Sequence, residues 1–191
     1  MVINNIAFIT DVDQVRNDWV GGFSQKEMKI IQRYASPPIL HLFSGASTFG
    51  DTRIDCNPTA PATIHGDVFK HLHECKRGYN TIILDPIYCS EHRQDAWKAK
   101  YGGKEELYVF PYDTRRTAAL QRALSTSGAL TIIIKSLSFY TWPNYRLLQG
   151  FVIYPGAYKP ARTIAILRKN NHALIPPYSP PNYRQKIPKN Q

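Results

Sequence analysis

Thr81-Ile82-Ile83-Leu84-Asp85-Pro86-Ile87-Tyr88 is the stretch on which the fold of this chain turns. Its first four residues are β-branched or aliphatic, and such a short continuous run bounded by turn residues reads as a strand buried on both faces. The run stops at an aspartate and a proline. In an open α/β sheet, ligands bind outside the carboxyl ends of the strands, so the residues that end strands carry the functional information.

Working outward, similar runs recur at turn-bounded intervals. A short strand is expected at Ile6 to Ile9, followed by two helical stretches. The second opens with a capping box, Ser24 and Glu27, and runs through Tyr34 until Ser36-Pro37-Pro38 excludes helix. Strands follow at Ile39 to Phe43, up to Asp55, and at Ala62 to His65. Beyond Leu84, Asp113 caps a helix to about Thr126, and a strand from Gly128 ends at Lys135. A pair at Leu147 to Tyr154 and Arg162 to Leu167 turns through Pro155-Gly156-Ala157. Helices alternating with strands predict an α/β, mostly parallel sheet with an antiparallel edge strand and helices on both faces. Residues 1–38 read as an N-terminal helical segment packing on a core of 39–170. Residues 171–191 form a basic tail with five prolines, too poor in apolar residues to join a packed core.

Three successive strand ends carry groups suited to one ligand. Phe43-Ser44-Gly45-Ala46 follows the first central strand, and its glycine lets backbone approach a ligand closely. Asp55 ends the next strand, where a carboxylate can accept both ribose hydroxyls of an adenosine. Asp67, after Gly66, ends the third on the adenine side. No metal is expected: His71, His73 and Cys75 alternate, whereas helical ligands want a spacing of three or four.

Phe43-Ser44-Gly45, Asp55, Gly66-Asp67 and Asp85-Pro86-Ile87-Tyr88, in that order, resemble the motifs of class I S-adenosylmethionine-dependent methyltransferases. The resemblance is to the amino-methylating branch, which modifies exocyclic amines of nucleobases. It implies a Rossmann-like, seven-stranded sheet with the S-adenosylmethionine cofactor across its carboxyl edge. It also implies that Asp85 and the Pro86 carbonyl orient the target amine while Tyr88 stacks on the base, a contact of about 1–3 kcal/mol. The chain departs from the pattern at Ser47, where a second loop glycine is usual, and at Ile87, where a second proline is usual. Only eight residues separate Phe43 from Thr52, which leaves little room for a helix after the loop.

The 24 Lys and Arg outnumber the 14 Asp and Glu, a net charge of +10 that favours a polyanionic partner, DNA or RNA. Tyr101, Arg115, Arg116, Lys135 and Ile87 are the candidate substrate contacts, and a partner subunit is a further expectation for a chain without a recognition domain. Lys135 with Asp85 also resembles the pairing in ribose 2′-O-methyltransferases, a branch that needs a second lysine and a glutamate. Lys26 or Lys29 fits the former, but no acidic residue follows Asp113. A catalytically silent binding module on the same fold is the third reading. Three cysteines without paired spacing and the lack of a signal peptide or of a run long enough to span a bilayer predict a cytoplasmic protein with no membrane contact.

Overall fold

Eight strands form one mixed sheet among the residues that the computed structural model describes, 5–10, 23–86, 114–136, 142–154 and 161–170. In chain order the elements are β1 (Ile6–Thr10), α1 (Gln25–Tyr34), β2 (Ile39–Leu42), β3 (Thr52–Asp55) and β4 (Ile64–His65). A 3-10 helix (Val68–Lys76), β5 (Thr81–Leu84), α2 (Thr114–Ser125), β6 (Thr131–Ser136), β7 (Tyr145–Tyr154) and β8 (Arg162–Lys169) complete them. The capping box is formed: the Glu27 amide donates to Ser24 Oγ at 3.2 Å and the Ser24 amide to Glu27 Oε2 at 2.7 Å. The first of the two expected helical stretches, the turn at 155–157, Asp113 and the tail lie outside the described residues.

The strands lie in the order β1-β7-β8-β6-β5-β2-β3-β4. Two expectations change. The resemblance implied seven strands; the eighth is β1, which pairs in parallel with β7 from Ile6 opposite Gly150 to Thr10 opposite Tyr154. The antiparallel strand was expected at an edge, yet β8 lies inside the sheet, antiparallel to both β6 and β7. Its sequence gives the reason. Thr163-Ile164-Ala165-Ile166-Leu167 is apolar or β-branched at every position and buried throughout, the pattern of a strand covered on both faces. The edge falls instead to β1, where Phe8 is 80% exposed.

Alternate residues of the central strands feed two separate cores. Leu40, Leu42, Ile82, Leu84, Ile132 and Ile134 meet Val68 and Cys75 of the 3-10 helix and Leu120 and Leu124 of α2. Ile39, Ile83, Ile133, Ile164 and Ile166 meet Ile31 of α1 on the opposite face. Helices therefore cover both sides. The chain lays down β2, β3 and β4 in one direction, then places β5 on the other side of β2 and β6 beyond it. In open α/β sheets such a reversal of strand order is where connections diverge and leave a crevice at the carboxyl ends of the strands, here those of β2 and β5.

His41, midway along β2, is wholly buried on the α1 face. Its Nδ1 lies 3.0 Å from the Phe49 carbonyl, to which it donates, and the Phe23 ring stacks on it at 5.5 Å. Burial pushes its pKa from 6.5 down to about 4, against the hydrogen bond to Phe49, with the Arg53 and Lys135 charges pushing further down. An unfolded imidazole takes up its proton near 6.5 and the folded one only near 4, so stability falls as pH drops through that window. The slope is about 1.4 kcal/mol per pH unit. Urea unfolding of His41→Leu between those pH values is expected to show a slope shallower by that amount; an unchanged slope would contradict the buried neutral histidine.

Candidate active site

The loop leaving β2 is shaped by two left-handed residues, Phe43 at φ 59° and Gly45 at φ 52°. The Ser44 amide donates to the Ile54 carbonyl at 3.1 Å, which pins the loop to the end of β3. Asp55 fastens the same turn, its Oδ2 accepting from the Gly45 amide at 2.7 Å and its Oδ1 from the Asn57 amide at 2.8 Å. An ionised carboxylate has about four acceptor positions, so these two amides leave capacity for a ligand. Burial raises the pKa of Asp55 above the ordinary carboxylate value; its two amide donors pull the other way, and the neighbouring negative charge of Asp85 adds to the rise. Ser44 is buried, and its Oγ meets no hydrogen-bond partner among the described residues. A buried hydroxyl without a partner costs roughly 1–3 kcal/mol, which a polar ligand in the crevice would recover.

Asp67 takes a more structural position. It caps the 3-10 helix, its Oδ1 accepting from the Phe69 amide at 2.9 Å. Phe69 packs against Phe43, ring centroids 6.1 Å apart, and the Arg116 guanidinium lies 5.1 Å above the Phe69 ring. Arg116, expected to meet substrate, is thus held on the loop side of the crevice, while Arg115 is exposed at the start of α2. Phe69 was missed by the sequence reading. Its one signal was the aromatic two residues after a strand-end aspartate.

Across the crevice, the Asp85 amide donates to the Leu42 carbonyl at 3.3 Å and carries the parallel ladder one step past β5. Asp85 and Lys135 follow Ile83 and Ile133 on the α1 face at a spacing of two, so both reach the same side of the sheet. Lys135 Nζ lies 3.5 Å from Asp85 Oδ2 and 3.4 Å from Glu27 Oε2. Arg162 Nη2, from β8, lies 3.3 Å from Glu27 Oε1. The Phe23 ring covers the ammonium, its centroid 4.8 Å away. Lys135 is 2% exposed and Glu27 0%, so this is a chain of charges withdrawn from water. Two cations alternate with two carboxylates, which is the arrangement that offsets the cost of desolvating each.

Glu27 is the acid for Lys135 that the sequence did not offer downstream of Asp113. It arrives from α1, one turn before Ile31, whose side chain anchors that helix to the sheet. Lys26 instead donates to the Thr10 carbonyl at 3.1 Å, and Lys29 is exposed. The structure therefore gathers Ser44, Gly45 and Asp55 on one side and Asp85 and Lys135 on the other, with Phe43, Ala46 and Pro86 beside them in sequence. Ile87, Tyr88 and Tyr101 lie outside the described residues. Among the described residues no group of three His, Cys, Asp or Glu side chains could hold a metal ion.

Comparison of the sequence with protein-family models and with curated proteins returns no match. The site thus rests on its own geometry. Asp55→Ala removes the acceptors of two amides, and faster hydrogen exchange at Gly45 and Asn57 is expected, with little change at the Ile82 and Ile83 amides of β5. Unaltered exchange at Gly45 would contradict Asp55 as the fastener of the loop.

Proposed function

We propose that this protein is an S-adenosylmethionine-dependent methyltransferase acting on an exocyclic amine of a nucleobase in DNA or RNA. The observation that carries the proposal is the placing of Asp55 and Asp85 at the ends of β3 and β5, the strands on either side of β2 and its left-handed glycine loop, where the strand order reverses. The reversal supports a Rossmann-like arrangement of the sheet, in which such crevices take nucleotide-like ligands. The residues present fit the cofactor: Asp55 keeps acceptor capacity for the ribose, and Ser44 Oγ and the Gly45 backbone line the methionine end with Phe43 and Ala46. Phe69 and Asp67 flank the adenine side.

The bound cofactor supplies an electrophilic methyl group. The rest of the task is orientation. Asp85 accepts one hydrogen of the target amine and the Pro86 carbonyl the other, which turns the amine lone pair out of the ring plane. Pro86 gives up only an amide hydrogen that the task does not need. Tyr88 stacks on the base, a surface that works best on a flipped or single-stranded nucleotide. Arg115, Tyr101 and the tail supply phosphate contacts, and a partner subunit supplies sequence selectivity. An odd number of cysteines suits the cytoplasm.

One observation favours a second reading, ribose 2′-O methylation: Lys135 stands 3.5 Å from Asp85 with Glu27 close by. It is the weaker reading because, among the described residues, the ammonium already meets two carboxylates and the Phe23 ring.

Transfer of a labelled methyl group to single-stranded DNA and to structured RNA, followed by digestion to nucleosides, tests the proposal. Label is expected on a base amine, and Asp85→Ala is expected to lower transfer about 100-fold or more while cofactor binding persists. Label on ribose would favour the second reading. Equal loss of transfer and cofactor binding in Asp85→Ala would overturn the division of roles, and wild-type binding without transfer would leave a silent binding module. Deleting residues 171–191 removes three Lys or Arg, and a shallower salt dependence of nucleic-acid affinity is expected. An unchanged slope would place the contact surface on the folded core.

A further inference from the structure

We infer that Glu27 is a positioning residue of the active site: held by Arg162, it fixes the Lys135 ammonium against Asp85 and so sets the carboxylate that orients the target group. The inference rests on the reading of Asp85 as the orienting carboxylate. It assigns to α1 a part in the reaction that no strand-end motif contains.

Three distances define a relay. Arg162 Nη2 stands 3.3 Å from Glu27 Oε1, Glu27 Oε2 stands 3.4 Å from Lys135 Nζ, and Lys135 Nζ stands 3.5 Å from Asp85 Oδ2. Lysine has a flexible four-carbon stem and an ammonium without directional preference. An ammonium paired with one carboxylate fixes neither its own place nor the rotation of that carboxylate. A second carboxylate, buried, bonded to the Ser24 amide and paired in charge with Arg162, fixes the ammonium, and the Phe23 ring 4.8 Å away closes another side.

Glu27 does this while serving as the third residue of its own helix. Its Oε2 accepts the Ser24 amide at 2.7 Å, so the capping box sets the side chain before it reaches Lys135. The helix start, β5, β6 and the antiparallel β8 are thereby tied to one point. Displacement of a reacting group by about 1 Å costs on the order of 100-fold in rate, so a relay of this kind has kinetic weight.

Glu27→Gln is the suited variant, because glutamine preserves the capping box while removing the charge. The full-length protein is labelled at the aspartate carboxyl carbons, and the Asp85 resonance is identified by its loss in Asp85→Asn. Transfer and cofactor affinity are measured on the same samples. In Glu27→Gln the Asp85 resonance is expected to move while that of Asp51, which accepts the Ile39 amide, stays in place. The maximal transfer rate is expected to fall about 10- to 100-fold with cofactor affinity retained. Glu27→Asp is expected to recover part of the rate. The double variant Glu27→Gln with Arg162→Met keeps the charges balanced and is expected to stay slow; it also decides the matter if the single variant does not fold.

An unmoved Asp85 resonance would overturn the inference. So would a double variant with wild-type rate, since Glu27 would then serve only to neutralise Arg162. If the wild-type protein transfers no methyl group to any substrate, the function proposed above fails, and the resonance arm still decides whether Glu27 sets Asp85.

Discussion

A lysine ammonium withdrawn from water at the end of β6 needs oxygen atoms to replace its hydration, and Lys135 finds them in Glu27 and Asp85. Removing one partner of such a buried pair costs about 3–5 kcal/mol, because the remaining charge is stranded. That requirement reaches through the whole domain. It holds α1 over the sheet at the position where Ile31 meets Ile39, Ile83 and Ile133, and it brings Arg162 on β8 to the same point. Elements distant in sequence are thus locked together at the edge where β2 and β5 part.

The two faces of the sheet divide the site between them. The α1 face carries the charge relay that ends at Asp85. The opposite face carries the 3-10 helix and α2, which bring Phe69 against Phe43 at the root of the glycine loop and Arg116 over Phe69. Asp55 joins the halves, since it fastens the loop through the Gly45 amide and feels the charge of Asp85. Strand order alone creates this meeting place. Hydrogen bonds and charges then decide what it can hold.

Much of the fold was legible because local pattern and tertiary role agree. The β5 run, the capping box at Ser24 and the helix ahead of β6 are all where the sequence puts them. The internal position of β8 was legible too, in its unbroken apolar run, but the expectation of a terminal strand at an edge overrode it. Strand-end aspartates were found by position, yet their hydrogen bonds were not: Asp67 spends an oxygen as a helix cap, and Asp55 is bound to its own loop. Glu27 was read for its local role only. A glutamate at the third position of a helix already has a complete explanation in the capping box, so nothing in the sequence signals that the same carboxylate also reaches Lys135.

Calorimetric titration of the purified protein with S-adenosylmethionine tests the central claim most directly, because every proposed role at the crevice presupposes that ligand. Saturable one-to-one binding, abolished by Asp55→Ala and retained in Asp85→Ala, is the expected result. Binding that survives Asp55→Ala unchanged, or no heat of binding at millimolar ligand, would contradict a cofactor site at the carboxyl ends of β2 and β3.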